Sequence, residues 1–474
     1  MPEDDIDLLA INRGTIAAPA GCGKTHLIAE TLKRHTGTKP ILVLTHTNAG
    51  VAALRGRLDR ADVPRSSYRL ATIDGWSIRI VSTFPGRAGL DPTILDLTNP
   101  RADYPNIRKA ARRVLEPGHV NDILAASYAR LLVDECQDCV IDQFALIFFA
   151  SQCLPACVLG DPMQAIFGFG RDSLADWDEH ICNCFPLAGE LDTPWRWRNA
   201  GAEELGQWLL DVRTHLIAGQ PIDLQATPDA VTWVELDGDA SDHEKLVTAA
   251  RTRPPGGDGR VLVIGDSISA DSRYRIAKSV HGAVTVEAVD LKDLVSFARR
   301  LDLDDGDALE TVAEFAQKLM TNVGAADLVR RVQSLQRGTA RKEATDVEQV
   351  AIEFVERPSY RAALDLLVEI NKSGGVRVYR PAVQQACHRA LRACDADPDL
   401  PFYEATVRMR EENRLRGRPL PKRAIGSTLL LKGLEAEASI ILNAAELDSR
   451  NLYVAMTRGS KLLTVCSPTP ILTP

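Results

Sequence analysis

The stretch that decides the fold lies near the N-terminus and reads Ala18-Pro19-Ala20-Gly21-Cys22-Gly23-Lys24-Thr25. An apolar run at Thr15–Ala18 precedes it, and a helical pattern from Lys24 to about Lys33 follows it. Glycines between a strand and a helix let backbone N–H groups close around phosphate oxygens, and the helix N-terminus adds its positive dipole end. The stretch therefore predicts a phosphate-binding loop, with Ala18 in the place of the first glycine of the generic pattern.

The chemistry of this loop predicts a role for its polar residues. Lys24 would neutralise the β- and γ-phosphates of a nucleotide, and the Thr25 hydroxyl would ligate Mg²⁺. The complete predicted nucleotide site consists of Ala20, Gly21, Cys22, Gly23, Lys24, Thr25 and His26. We therefore expect ATP and Mg²⁺ as cofactors.

A second motif follows the apolar strand Leu131–Val133 and reads Asp134-Glu135-Cys136-Gln137-Asp138. In a parallel sheet this strand delivers its carboxylates to the same edge as the phosphate loop. Asp134 is placed to hold Mg²⁺, and Glu135 is suited to polarise the attacking water. The two motifs together predict nucleoside triphosphate hydrolysis.

The 474 residues are too many for one ordinary hydrophobic core, so more than one domain is expected. Short apolar runs alternate with helical stretches, which predicts an α/β fold with parallel sheets. We predict domain 1 at 1–195 with a small insertion at about 83–119, the first part of domain 2 at 196–302, a mainly helical insertion at 303–398, and the remainder of domain 2 at 399–474. Strands of the second sheet are predicted at 261–264, 427–431, 439–443 and 462–466.

The net charge of −8 means that bulk charge does not hold nucleic acid to this chain. One local basic segment stands out, with Arg408, Arg410, Arg414, Arg416, Arg418, Lys422 and Arg423. Considered alone, this segment favours a solvated helix face. No apolar run approaches the about 20 residues of a membrane span, and the acidic N-terminus is unlike a secretory signal. We expect a cytoplasmic protein with no membrane partner.

The ten cysteines include three pairs with the spacing of metal ligands, namely Cys136/Cys139, Cys153/Cys157 and Cys182/Cys184. The first pair lies at the acidic motif, where a closed zinc site would be incompatible with the binding of Mg²⁺ by the same motif. We expect ordinary reduced thiols and no structural metal.

The acidic motif and several further segments resemble, in the same order, the motifs of the UvrD/Rep branch of superfamily 1 helicases. These segments are Thr45-His46-Thr47-Asn48-Ala49, Ala71-Thr72-Ile73-Asp74-Gly75-Trp76, Gly160-Asp161-Pro162-Met163-Gln164-Ala165-Ile166-Phe167-Gly168-Phe169, Leu191–Arg198, Gly426–Glu435 and Asn451–Arg458. The resemblance covers roughly residues 15–80, 130–200 and 425–466. It implies two RecA-like P-loop domains with parallel sheets, each carrying a short mainly helical insertion.

The resemblance also implies roles for residues outside the two first motifs. Gln164 would sense the γ-phosphate, Glu435 would meet the nucleotide sugar, and Arg196 and Arg458 would act as arginine fingers from the second domain. The residues implied to contact nucleic acid are Thr47, Asn48, Thr72, Phe167, Phe169 and Thr428. Because the basic segment at 408–423 leads into the last motifs, we favour a role for it in tracking the nucleic-acid backbone.

The implied function is a DNA-stimulated ATPase that moves 3′ to 5′ along single-stranded or tailed DNA. The chain departs from the family in three respects: Asp74 replaces a usual histidine, no adenine-selecting glutamine motif is visible, and both insertions are short. Translocation is therefore a firmer expectation than duplex unwinding. The reduced size suits the helicase subunit of Gabija-type phage defence, which acts with an OLD-family nuclease.

Two alternatives belong to other functional classes. A nucleotide-gated nucleic-acid sensor, or a regulatory subunit of a nuclease complex with weak unwinding, would also fit the short insertions. A small-molecule P-loop kinase shares only the phosphate loop and leaves Arg196 and Arg458 unexplained.

Overall fold

The computed structural model describes residues 6–168, 173–288, 290–415 and 421–474, with side chains described in these ranges except at 413–415. Contact density divides the chain into two units. The first unit comprises Met1–Trp233, Ala444–Leu463 and Thr469–Pro474, and the second comprises Val234–Asn443 and Thr464–Pro468. This division differs from the predicted domain boundaries at 196–233, 444–463 and 469–474, which were predicted in domain 2 and lie in the first unit.

The first unit is built on a six-stranded parallel sheet. Its strands are β1 (Arg13–Ala17), β2 (Ile41–Thr45), β3 (Tyr68–Thr72), β4 (Arg130–Val133), β5 (Ala156–Gly160) and β6 (Leu187–Glu190), in the order β3-β2-β4-β5-β1-β6. Each neighbouring pair is parallel. Every residue of β2 is buried, with Ile41 and Val43 in one hydrophobic cluster and Leu42 and Leu44 in another. Both faces of this sheet are therefore covered, as parallel sheets require.

The helices of the first unit follow the predicted alternation. They are α1 (Lys24–Arg34), α2 (Asn48–Arg60), α3 (Ile73–Thr83), α4 (Pro85–Ala88), α5 (Pro100–Leu115), α6 (Asn121–Ser127), α7 (Ile141–Ala150), α8 (Trp195–Asn199) and α9 (Glu203–Ile217). Short 3₁₀ turns occupy Pro92–Asp96, Cys136–Asp138 and Pro162–Gln164, and a π-helix occupies Trp177–Cys182. Thr47 and Thr72 cap α2 and α3, each accepting a hydrogen bond from a backbone N–H group of the first turn.

The second unit contains most of a second six-stranded sheet. The remaining strands are β7 (Ile222–Asp223), β8 (Val231–Glu235), β9 (Val261–Ile264), β10 (Ala283–Thr285), β11 (Arg423–Gly426), β12 (Ala436–Ile441), β13 (Gly459–Ser467) and β14 (Ile471–Leu472). The sheet order is β10-β11-β9-β12-β13-β8, and β7 pairs antiparallel with β14. The pairs β10–β11, β11–β9 and β12–β9 are parallel. The α/β fold with two parallel sheets is thus confirmed.

A mainly helical segment interrupts this second sheet between β10 and β11. The helices after α9 are α10 (Asp242–Ala250), α11 (Ala270–Ser279), α12 (Lys292–Arg300), α13 (Ala308–Leu319), α14 (Ala325–Gln336), α15 (Asp346–Glu356), α16 (Tyr360–Lys372), α17 (Pro381–Ala396), α18 (Phe402–Leu415), α19 (Thr428–Leu431) and α20 (Ser449–Met456). Residues of α12 to α18 share one hydrophobic core, in which Phe297 stacks on Phe315 at a ring-centroid distance of 3.9 Å. None of the helices in the described ranges is long and apolar enough to span a membrane.

One predicted strand is wrong. The segment 427–431 forms helix α19, and the strand is the preceding β11, which ends at Gly426. The Ser427 side chain accepts a hydrogen bond from the N–H group of Leu430 and so begins the helix. A short leucine-rich run fits a buried strand or a buried helix equally well, and the serine cap decides between them.

The small insertion in the first unit provides an ion-pair partner for Asp74, the residue that replaces the usual histidine of the resembled family. Arg108 of α5 donates two hydrogen bonds to the Asp74 carboxylate, at 2.7 and 2.8 Å, and Gln143 donates a third at 3.1 Å. The side chains of Arg108 and Asp74 are only 12% and 19% exposed. A bidentate ion pair with so little solvent is sensitive to the loss of one partner.

We therefore expect the Arg108→Met variant to lose about 3 kcal/mol of unfolding free energy, because the Asp74 carboxylate would remain poorly solvated and unpaired. Urea titration followed by circular dichroism measures this loss. The matched control is Arg112→Met on the same helix. Arg112 pairs with Glu116 while both side chains are over 40% exposed, so its loss should cost under about 1 kcal/mol. Equal effects in the two variants would contradict a stabilising role for the buried pair.

Candidate active site

The phosphate loop joins β1 to α1 and needs its two internal glycines. Gly21 and Gly23 have φ angles of +74° and +84°, a left-handed region that side chains disfavour. A Cβ atom on Gly21 would also lie 2.5 Å from the Trp197 ring. Ala18 is buried and does not adopt the left-handed backbone conformation. Its N–H donates a hydrogen bond to the Gly160 carbonyl at 2.8 Å. An alanine therefore suffices where the generic motif has its first glycine.

The acid pair at the end of β4 contacts the loop lysine. The Lys24 ammonium lies 2.5 Å from Glu135 Oε1 and 3.2 Å from Asp134 Oδ1. Burial alone would lower the pKa of Lys24, but the two carboxylates raise that pKa above its ordinary value. The ammonium therefore stays charged, as a group that neutralises phosphate must.

The backbone of Glu135 is held in an uncommon conformation. Its φ is +57°, in the left-handed region, which costs on the order of 1 kcal/mol for a residue with a side chain. Gln137 donates a hydrogen bond from its Nε2 to Glu135 Oε2 at 2.5 Å and accepts one from the Asp161 N–H at 3.1 Å. Both oxygens of the Glu135 carboxylate are thus oriented, one by Lys24 and the other by Gln137.

Oxygen ligands suited to Mg²⁺ lie in the same region. Asp134 Oδ1 is buried and makes no hydrogen bond of good geometry to any described residue, although Lys24 is within ion-pair distance. Burial raises the pKa of Asp134, and the cations Lys24 and Arg57 oppose that rise. Arg57 donates a hydrogen bond to the Thr25 hydroxyl at 2.8 Å. A buried carboxylate oxygen without a hydrogen bond and a hydroxyl are oxygen ligands of the kind that a hard divalent cation takes.

The turn after β5 positions Gln164. Asp161 caps the turn Pro162–Gln164, and its Oδ2 accepts a hydrogen bond from Gln164 Nε2 at 3.1 Å. Arg458 Nη2 lies 3.5 Å from Gln164 Oε1. The Gln164 amide is therefore held between a carboxylate and a guanidinium.

The two predicted arginine fingers both belong to the first unit. The Arg196 N–H donates to the Gly21 carbonyl at 3.0 Å, and its guanidinium donates to the Thr457 carbonyl at 2.6 Å. Arg458 is 3% exposed and donates to the Val454 carbonyl at 2.8 Å. Both arginines therefore lie near the phosphate loop or near Gln164.

Besides Gln137 and Asp161, three residues of this site have no role in the sequence prediction. Arg57 contacts Thr25, Arg213 of α9 pairs with Asp161, and the Tyr453 hydroxyl accepts a hydrogen bond from the Ala20 N–H at 3.0 Å. Tyr453 lies within a recognised segment and Arg57 follows one on helix α2, although nothing in the motif patterns marks their contacts. Arg213 lies outside every motif, and its partner becomes visible only in three dimensions.

The predicted nucleic-acid residues of the first unit lie beside the nucleotide site. Strands β2 and β3 pair in register through their last residues, Thr45 and Thr72, and Thr47 follows the end of β2 by two residues. Asn48 is exposed. The Phe167 ring lies 5.4 Å from the His46 ring, at a tilt of 46°. The ring contact between Phe167 and His46 thus packs the turn after β5 against the segment before α2, at the same edge of the sheet.

Other predicted residues lie elsewhere. Thr428 is in the second unit, where its buried hydroxyl makes no hydrogen bond to any described residue, and Glu435 is half-buried in the same unit. Phe169 and three arginines of the basic segment (Arg414, Arg416 and Arg418) lie outside the residues or side chains that are described. His26 is exposed in the first turn of α1.

The remaining basic residues and the cysteines are mostly engaged or buried. Arg408 pairs with Glu404, Arg410 pairs with Glu411, and Arg423 donates to backbone carbonyls of the second unit. Lys422 is exposed. The ten cysteines are free, and burial raises the pKa of the Cys157 thiol to about 12.

Fold and site together define an α/β protein with a P-loop, a strand-end acid pair and two neighbouring arginines. No family model matches the sequence, and no curated protein sequence matches it. Among solved structures, the chain is similar to the Pif1 helicase from Candida albicans, with a TM-score of 0.39 and 12% identity over 96% of this chain and 91% of that chain. A likeness at this level supports no functional conclusion, which must come from the residues themselves.

Proposed function

We propose that this chain is a nucleic-acid-stimulated ATPase of the superfamily 1 helicase type, acting as a translocase on single-stranded DNA. One observation supports the proposal most strongly. Lys24, Asp134 and Glu135 meet at the carboxyl edge of the first sheet, and the Gln164–Arg458 pair lies in the same unit. This combination provides phosphate binding, metal ligation, water activation and charge stabilisation.

Each step of hydrolysis has a candidate residue. Lys24 and the loop amides bind the phosphates, while Thr25 and Asp134 would hold Mg²⁺, which supplies charge neutralisation at the β- and γ-oxygens. Glu135 orients and polarises the attacking water. The third phosphate distinguishes ATP from ADP, and Gln164 with Arg458 is suited to respond to its charge.

Helix α2 offers a route by which nucleic acid would stimulate hydrolysis. The helix begins after Thr47, a predicted strand contact, and near its other end Arg57 donates a hydrogen bond to Thr25. The two ends are about 14 Å apart along the axis, at about 1.5 Å per residue. A displacement of α2 by a bound strand would therefore reach the predicted metal ligand directly.

Finer features follow only from the family resemblance. We propose 3′ to 5′ movement and membership of the UvrD-like branch on that basis. An OLD-family nuclease partner and a role in phage defence stay predictions of the resemblance. The same holds for the predicted bounds of the two RecA-like domains.

The direct test is ATP turnover by the full chain with and without single-stranded DNA, with RNA and duplex DNA as comparison substrates. We expect turnover to require Mg²⁺ and to rise at least about tenfold with single-stranded DNA, because a translocase couples its conformational cycle to a bound strand. Absence of ATP turnover, or a rate indifferent to all nucleic acids, would contradict the proposal. Displacement of a labelled strand from tailed DNA by the isolated chain would exclude the sensor alternative.

A further inference from the structure

The carboxylate of Asp161 is completely buried, with a side chain 0% exposed. It accepts hydrogen bonds at Oδ1 from Arg213 Nε at 3.2 Å, Arg213 Nη2 at 3.1 Å and the Met163 N–H at 3.1 Å. Its Oδ2 accepts the hydrogen bond from Gln164 already described. A buried carboxylate is tolerated only when it is paired and hydrogen-bonded, and Arg213 is the cation that pairs with it.

Arg213 itself is almost as deeply buried. Its side chain is 10% exposed, and its second nearby acid is Glu190 on β6, at 3.6 Å. Helix α9 therefore places a buried guanidinium against the turn that carries Gln164. Because Arg213 donates two hydrogen bonds to one carboxylate oxygen, it leaves the other oxygen for Gln164.

Tyr453 connects the same cluster to the phosphate loop. Burial, together with the charge of Asp161, raises the pKa of the Tyr453 phenol well above its ordinary value, and Arg213 opposes that rise. Both charged groups thus lie close to Tyr453. Since the Tyr453 hydroxyl accepts the Ala20 N–H, the cluster adjoins the loop backbone as well as Gln164.

We propose that Arg213 is a positioning residue of the ATPase site, which fixes the Asp161 carboxylate and, through it, the orientation of the Gln164 amide toward the γ-phosphate. This inference rests on the proposed function. Without Arg213, the buried Asp161 carboxylate would lack its cation and would attract the Arg458 guanidinium. That change removes Gln164 from its present hydrogen bonds while leaving Lys24 and the acid pair in place.

The test compares the Arg213→Met variant of the full chain with the wild type. We expect kcat for ATP to fall about 10- to 100-fold, the range typical of lost supporting contacts. ADP binding with Mg²⁺, measured with a fluorescent ADP, should change less than about threefold, because ADP lacks the phosphate that Gln164 would meet. The control variant is Arg112→Met, which removes an exposed ion pair far from this cluster in sequence.

A second variant separates positioning from a merely structural role. In the double variant Arg213→Met/Asp161→Asn, the buried charge is gone, and the side-chain carbonyl oxygen of the introduced amide still accepts from Gln164. We expect kcat to recover at least about tenfold relative to Arg213→Met, because the uncompensated carboxylate causes most of the damage. Circular dichroism confirms that each variant is folded.

The outcomes distinguish this inference from the proposed function. If the wild type hydrolyses no ATP, the proposed function itself fails. The positioning role is overturned if the wild type is active and Arg213→Met retains the wild-type kcat. It is also overturned if the double variant is folded but does not recover turnover. A loss of ADP binding equal to the loss of kcat would also overturn it, since Arg213 would then support the whole loop.

Discussion

The Glu135→Gln variant is expected to lose ATP turnover by about 10²- to 10⁴-fold, the usual contribution of a general base, while it still binds ATP. Glutamine has the size of glutamate and keeps an oxygen for Lys24. It cannot accept a proton from water, and one of its terminal groups becomes a donor facing Gln137. Steady-state turnover in saturating single-stranded DNA measures the loss.

The control for this variant is Glu116→Gln, which removes an exposed carboxylate paired with Arg112. It should hydrolyse ATP at the wild-type rate. Binding of a fluorescent ATP analogue by Glu135→Gln should remain within about threefold of the wild type, because the phosphate contacts of Lys24 and the loop amides are retained. Turnover that survives the substitution would remove Glu135 from the mechanism and leave Asp134 as the acid to examine.

The Arg458→Ala variant is expected to reduce kcat by about 10³-fold or more, as the loss of an arginine finger does in other phosphoryl-transfer enzymes. Arg458 is buried and already lies beside Gln164, so its charge acts where solvent screening is weak. Arg458→Lys should restore little, because an ammonium cannot reproduce the forked contacts to Val454 and Thr457.

The matched control is Arg450→Ala, at the exposed start of α20. It removes the same charge from the same helix without touching Gln164, and we expect turnover within about twofold of the wild type. If Arg450→Ala and Arg458→Ala reduced turnover equally, the effect would come from helix α20 as a whole. If Arg458→Ala kept full activity, Arg196 would be the remaining candidate finger.

Much of the fold was predictable because its signals are local. The glycine loop needs left-handed backbone at Gly21 and Gly23, and only glycine adopts that conformation cheaply. Buried parallel strands appear as short apolar runs, which is why β1 and β4 overlap the runs at Thr15–Ala18 and Leu131–Val133. The strand predicted at 427–431 was wrong because a leucine run carries no period that separates strand from helix.

The contacts that orient the site were less predictable because they join residues distant in the chain. Arg108 pairs with Asp74 across 34 positions, and Arg213 pairs with Asp161 across 52. An arginine in an amphipathic helix has the same local pattern whether it faces solvent or a buried carboxylate. Only the packing of α5 and α9 decides which of these two environments applies.

Local sequence predicted the chemistry of the candidate site, with a phosphate loop at Lys24 and Thr25 and an acid pair at Asp134 and Glu135, and it predicted the parallel α/β architecture. These predictions follow from backbone geometry and from the periodicity of apolar residues, and both depend only on short stretches of the chain. The tertiary structure alone decided how those groups are held. It pairs Lys24 with both acids, supports Glu135 with Gln137, and supports Gln164 with Asp161 and Arg213. The reason is that burial sets the strength of these charge contacts, and burial is a property of the assembled fold.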